Sequence, residues 1–153
     1  MGDPKKQRKK YIVPKNLFDR SRIEGEKNLV NKYGLKNRRE IWIAVAKLKK
    51  IRDRAKKLIL QPEKQEEFLA RLEHLGLIQK QATIDDVLAL DKEKILDRRF
   101  QTIVLAQKLA KTIKEARQLV SHKKVMIDNK ICDVPGRLIT LKEEAKILLK
   151  NKK

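Results

Sequence analysis

Apolar positions recur at spacings of three and four through the middle of the chain. Ile41, Val45, Leu48, Ile51, Ala55 and Leu58 form one stripe of a helix over about 38–60. Pro62 ends it, because proline lacks the amide a helix interior requires. Phe68, Leu72 and Leu75 predict a second helix over about 63–75, with Gly76 as its C-terminal stop. Thr83-Ile84-Asp85-Asp86 is a cap for a short turn carrying Val87, Leu88 and Leu90. Asp91 then caps a helix expected to run through Ile95, Leu96, Phe100, Ile103 and Val104 to about Ala110, and the string Arg98-Arg99-Phe100-Gln101-Thr102 also reads as a helix opening.

Thr112-Ile113-Lys114-Glu115 has the Thr-x-x-Glu pattern of a capping box, opening a helix that buries Ala116, Leu119 and Val120. After His122 the period shortens to two. Val125 and Ile127 predict a short strand, Asp128-Asn129 a turn tolerant of left-handed backbone, and Ile131 to Val134 the returning strand. Pro135-Gly136 is a further turn before a third strand expected at Leu138 to Leu141.

The fold class expected is α+β and mostly helical, in four parts. Residues 1–37 read as a basic extended N-terminal arm, since Pro4 and Pro14 flank a lysine run and no sustained periodicity follows. Residues 38–96 are a helical lobe, 97–145 a two-helix and short-sheet module, and 146–153 a basic tail with little to fix it.

Charge changes the picture. The 153 residues hold 40 Lys and Arg against 20 Asp and Glu, a net +20. Such an excess repels itself in a free globule and points to a polyanionic partner. It is unevenly placed: nine basic residues face only Glu40 and Asp53 between Arg38 and Lys57, whereas nine acids outnumber five bases between Glu63 and Asp97. The acid-rich stretch is therefore expected to pack or to face protein. The basic helix has too few acids for neutralising pairs one turn apart, so phosphate contact outweighs simple solvation of a charged face.

The residues expected to meet phosphate are Lys5, Lys6, Arg8, Lys9 and Lys10 of the arm, and Arg38, Arg39, Lys47, Lys50, Arg54 and Lys57 of the first long helix. In the module they are Arg98, Arg99, Gln101, Lys108, Lys111, Thr112, Lys114, Arg117, Gln118, Ser121, His122, Lys123, Lys124 and Lys130. Lys114, Arg117 and Ser121 share one helical face, and the capped helix start near Lys111 adds amide donors and a positive dipole end.

The stretch Glu115-Ala116-Arg117-Gln118-Leu119-Val120-Ser121-His122, leading into Val125-Met126-Ile127-Asp128-Asn129-Lys130, resembles the RNA-binding module of the S-four family of small-subunit ribosomal proteins. The start Met1-Gly2-Asp3-Pro4-Lys5-Lys6, the string Tyr33-Gly34-Leu35-Lys36-Asn37-Arg38-Arg39-Glu40-Ile41-Trp42, Leu75-Gly76-Leu77, Asp85-Asp86-Val87-Leu88 and Arg99-Phe100-Gln101-Thr102 resemble the archaeal and eukaryotic branch of that family over nearly the whole chain. The resemblance implies binding to the five-prime domain of small-subunit ribosomal RNA, a part in early assembly, and a seat near decoding where messenger RNA enters. It also implies ribosomal proteins S-five and S-three as neighbours and a cytoplasmic location. The family often has glycine where Lys108, Lys123 and Asn129 stand. Its bacterial members often carry a cysteine cluster for zinc, which this chain lacks.

No metal or cofactor is expected, because Cys132 is the only cysteine and His74 and His122 the only histidines. Nor is an enzyme: His122 has no triad partners, Asp85-Asp86 serves a helix start, and the 5 glycines form no phosphate-binding loop. Trp42 and Cys132 are expected in the core. No membrane span or signal peptide is expected. Two rival readings remain at this level: a free ribosome-associated RNA-binding factor, and the accessory module of an RNA-modifying enzyme, which would need a separate catalytic domain.

Overall fold

A computed structural model describes residues 2 and 9–150. Lys5, Lys6 and Arg8, expected to meet phosphate, lie outside the described residues. In chain order the elements are α1 (Arg20–Lys32), α2 (Arg39–Leu58), a 3-10 turn (Pro62–Lys64), α3 (Gln65–His74), α4 (Ile84–Ala89), α5 (Lys92–Asp97), α6 (Phe100–Ala106), α7 (Ile113–Ser121), β1 (Val125–Ile127), β2 (Lys130–Ile131), α8 (Leu141–Glu144) and β3 (Ile147–Leu149). Mostly helical α+β architecture is observed.

The region 1–37 is not wholly extended. The Asp19 carboxylate accepts from the amides of Ser21 and Arg22 and starts α1, which buries Leu29 and leads into buried Tyr33. The helix escapes periodicity because one inward position is Glu26, only 7% exposed. Its carboxylate accepts from Arg22 at 2.6 Å and from the Trp42 indole at 3.0 Å. A charge stands where the pattern demands an apolar side chain, and two donors meet its Oε1. Trp42 is half-buried against the core, with Tyr11 at 6.0 Å.

The first core gathers Ile41, Leu48, Ala55 and Leu58 of α2 with Phe68, Leu72, Val87, Ile95 and Leu96. Thr83 and Asp86 form the capping box of α4. The second core lies in the module, with Phe100, Val104, Ala116, Val120, Val125, Ile127, Cys132, Ile139 and Ile147.

The helix expected from Asp91 to Ala110 is two. Arg99 is extended (φ −76°, ψ 145°) and forms an antiparallel bridge with Leu138. The Ile139 amide donates to the Arg98 carbonyl at 3.1 Å, and that of Phe100 to the Arg137 carbonyl at 2.9 Å. The returning chain thus takes the backbone groups that a continuous helix would pair internally. No local breaker announces this break.

The sheet has the order β2-β1-β3. Asp128 and Asn129, at φ 49° and 64°, make the tight turn between β1 and β2, as two positive values suit a two-residue hairpin. The return strand is shorter than expected, Lys130–Ile131. The expected third strand at 138–141 is also corrected: Leu138 forms one bridge, and Thr140 with Glu143 makes a capping box that starts α8. The third strand is β3, within the stretch read as a loose tail. Its Ile147 and Leu149 stand opposite Ile127 and Val125, and burial of Ile147 fixes it there.

Candidate nucleic-acid interface

At the centre of the junction between the module and the helical lobe stands one carboxylate in the first turn of α2. Glu40 Oε1 accepts from Arg117 Nη2 at 2.9 Å and from the Lys36 amide at 3.0 Å. Its Oε2 accepts from Arg117 Nη1 at 3.1 Å and from Arg99 Nη2. Burial pushes the Glu40 pKa up, but the hydrogen bonds from Arg117 and Arg99 outweigh it and hold the carboxyl below its ordinary value. Gln101, fully buried, donates to the Tyr33 carbonyl at 2.6 Å and accepts from Arg117 at 3.2 Å. The Tyr33 hydroxyl donates to Asp97 at 2.8 Å. Gly34 completes the seam at φ +55°, where a Cβ would come within 2.9 Å of Ile113 Cγ2; both demands select glycine.

Four residues expected to face phosphate are therefore engaged with protein. Arg98 pairs with Glu144 at 2.7 Å and donates to the Ile139 carbonyl at 2.8 Å. Arg99 and Gln101 are buried, and Arg117 turns from the shared face with Lys114 and Ser121 toward Glu40. For Arg99 and Arg117 the physical reason is Glu40, an acid left without a neutralising neighbour on a basic helix, to which these arginines supply counter-charge; Arg98 answers to Glu144 and Gln101 to the Tyr33 carbonyl.

The other module candidates face outward. Lys108, Lys111, Thr112, Lys114, Gln118, Ser121, His122, Lys123, Lys124 and Lys130 are all exposed. The Thr112 hydroxyl accepts from the Glu115 amide at 3.2 Å. The Glu115 carboxylate reaches one residue further back than a capping box would take it, to the Lys111 amide at 2.7 Å. The Lys111 amide, expected to be available for phosphate, is thereby occupied.

On the lobe side Arg38, Arg39, Lys50, Arg54 and Lys57 are exposed. Arg39 lies 5.9 Å from the Tyr11 ring centroid and Arg54 lies 5.4 Å from that of Phe68. Lys9 and Lys10 come back against α2, where with Lys49, Lys50, Tyr11 and Asp53 they line a hollow of about 240 Å³. Sequence reasoning misses Lys49, although it sits beside Lys50 in the same basic run. Lys47 is half-buried and lines the cavity at the seam. Burial, then the charges of Arg99 and Lys10, lower its pKa.

Four helix ends share one geometry. After α1, α3, α6 and α7 the residue with positive φ is Gly34, Gly76, Lys108 and Lys123. Behind each, the next amide reaches back to Val30, Leu72, Val104 and Leu119, closing a Schellman motif. Lysine at φ 59° is strained by roughly 1 kcal/mol relative to glycine. Lys123→Gly is accordingly expected to raise Tm by about 2 °C, while removal of its exposed cation weakens binding to folded RNA severalfold. A thermal melt and a filter-binding titration on the same preparation check both signs.

Comparison with known proteins now bears on this geometry. The family model described as "S4 domain" matches residues 98–144. The chain is 44% identical over 149 residues to small ribosomal subunit protein uS4 of Ignicoccus hospitalis, covering 94% of this chain and 90% of that protein. It is 40% identical over 150 residues to uS4 of Saccharolobus solfataricus, covering 94% and 83%. The figure is 42% over 152 residues for uS4 of Thermoplasma acidophilum, covering 94% and 76%.

The chain belongs to the uS4 family, of archaeal type.

In this uS4-family chain the matched domain opens at Arg98, where the helix expected to continue is broken. The seam centred on Glu40 thus joins an S4 domain to a helical lobe through groups drawn from both.

Proposed function

We propose that this chain is a structural constituent of the small ribosomal subunit. In this reading it binds the five-prime domain of small-subunit ribosomal RNA, helps to nucleate assembly, and supports decoding where messenger RNA enters. Its neighbours are ribosomal proteins, S-five and S-three among them, and its place is in the cytoplasmic small subunit. The observation carrying the proposal is the distribution of cations: the arm, α2 and α7 each present exposed Lys or Arg, and Lys47 of α2 lines the seam cavity beside Arg99 and Arg117. Relatives named as small ribosomal subunit proteins support it.

The mechanism is that of a scaffold. Lysines and arginines neutralise phosphates from several RNA helices, releasing condensed counterions. The fixed spacing between lobe and module supplies selectivity for a folded RNA shape. Catalysis is not part of this role. Sedimentation of a lysate through high salt tests it. Co-migration of the chain with small subunits in a one-to-one ratio is expected; release from them would favour a transient ribosome-associated factor.

A further inference from the structure

Between the two lobes lies a cavity of about 250 Å³, lined by Glu40, Lys47, Arg99, Arg117, Ile43 and Leu138 among others. This is smaller than the sites that enclose drug-sized ligands. Its charged lining is three cations against one carboxylate, a surplus of two positive charges in a partly desolvated space. Glu40 engages Arg99 through Nη2 and Arg117 through both terminal nitrogens. Lys47 Nζ, Arg99 Nη1 and Arg117 Nε have no protein acceptor among the described residues. Arg99 Nε is buried without a partner, which marks the guanidinium as under-satisfied where orphaned donors are costly.

We infer that this seam cavity is a discrete oxyanion site that takes one phosphate group, with the lining cations Lys47, Arg99 and Arg117 as its ligands and Glu40 as the residue that holds both arginines in place. The occupant in the working protein is a backbone phosphate of bound RNA, so this part rests on the RNA-binding reading; inorganic phosphate presents the same chemistry. The sign of the local field agrees. Burial and the neighbouring cations Arg99 and Lys10 depress the ammonium pKa of Lys47, and an anion between them would relieve both the repulsion and the missing hydrogen bonds. Glu40 keeps the empty cavity from carrying three uncompensated cations. Because the ligands come from both lobes, a phosphate seated here fastens the module to α2 as well as the RNA to the protein.

The test uses the full chain, its Lys47→Met variant, which keeps most of the apolar stem, and Lys94→Met, which removes an exposed cation from α5. Thermal melts are taken in inorganic phosphate and in chloride at matched ionic strength. The wild type and Lys94→Met are expected to gain Tm in phosphate over chloride, and Lys47→Met to lose that gain. In a second arm, Lys47→Met should weaken binding of folded five-prime-domain RNA about 10-fold, as removal of one charge-assisted hydrogen bond does, and lower the salt slope by about 0.7–0.9. Lys94→Met should leave both near wild type. Equal responses of the two variants in both arms, or no phosphate gain in the wild type together with unchanged RNA binding by Lys47→Met, would overturn the site. A phosphate gain that depends on Lys47, with no RNA bound by any form, would sustain an oxyanion site but refute both its RNA occupant and the RNA-binding reading. An RNA effect without a phosphate gain assigns the site to polymer phosphate alone.

Discussion

Glu40→Ala should destabilise the protein by about 3–5 kcal/mol, the loss expected when one member of a buried charged network is removed. The Glu40 side chain is 16% exposed and that of Arg99 7%, so truncation strands two guanidinium groups where water compensates poorly. Both lobes keep their own apolar cores. The defect should therefore appear first as loosening between them, seen as earlier hydrogen exchange in the α2 start and α7, and then as a lower midpoint in urea. A loss below 1 kcal/mol would show that the seam is held by packing alone.

The same carboxylate gives a pH dependence of defined sign. Its folded-state pKa lies below the ordinary 4.5. Its contribution is fully present above that value and is lost as pH falls through the lower folded value. Wild type and Glu40→Gln should therefore converge in stability under acid conditions and diverge above about pH 5.

Reversing Lys111 and Lys114 together to glutamate should weaken binding of folded five-prime-domain RNA roughly 100-fold, about tenfold for each attraction to phosphate turned into a repulsion. The salt slope should fall by about 1.4–1.8. Lys92→Glu with Lys94→Glu makes the same change in net charge within the acid-rich segment and should cost less than about threefold. A filter-binding titration across several salt concentrations separates the outcomes. Equal losses for the two pairs would mean that affinity follows total charge, not the outward face of α7. Arg117 is a poor probe of that face, because its guanidinium holds Glu40 and its replacement would disturb the seam.

Local signals in the sequence carry most of the helical fold. The stripe from Ile41 to Leu58, the stop at Gly76, the Thr83–Asp86 cap and the Asp128-Asn129 turn are all decided by neighbours a few residues apart, which a linear reading can see. Two departures share one cause. The break at Arg98–Arg99 exists because residues 137–139 return to pair there, and β3 forms because Ile147 finds Ile127 across the chain. Neither event leaves a breaker or a turn residue at the site. Helix α1 is obscured by Glu26, a buried charge readable only once Arg22 and Trp42 are known to face it.

For the candidate surface, residue type locates the cations but not their direction. Lys114 and Arg117 look equivalent on a helical wheel, yet one faces solvent and the other faces a carboxylate 77 positions earlier. Glu40 carries a signal of its own, as an acid almost alone among nine bases from Arg38 to Lys57, but its meaning depends on partners far along the chain.

The sheet order places β1 between two strands, one supplied by a tight hairpin and the other by Ile147–Leu149. A polypeptide interrupted before Ile147 would keep the hairpin yet leave one flank of β1 with unpaired amides and carbonyls, an adhesive template for other chains. Prematurely terminated or clipped products would thus tend toward self-association, and protease susceptibility or aggregation should rise abruptly for truncations on the near side of that residue.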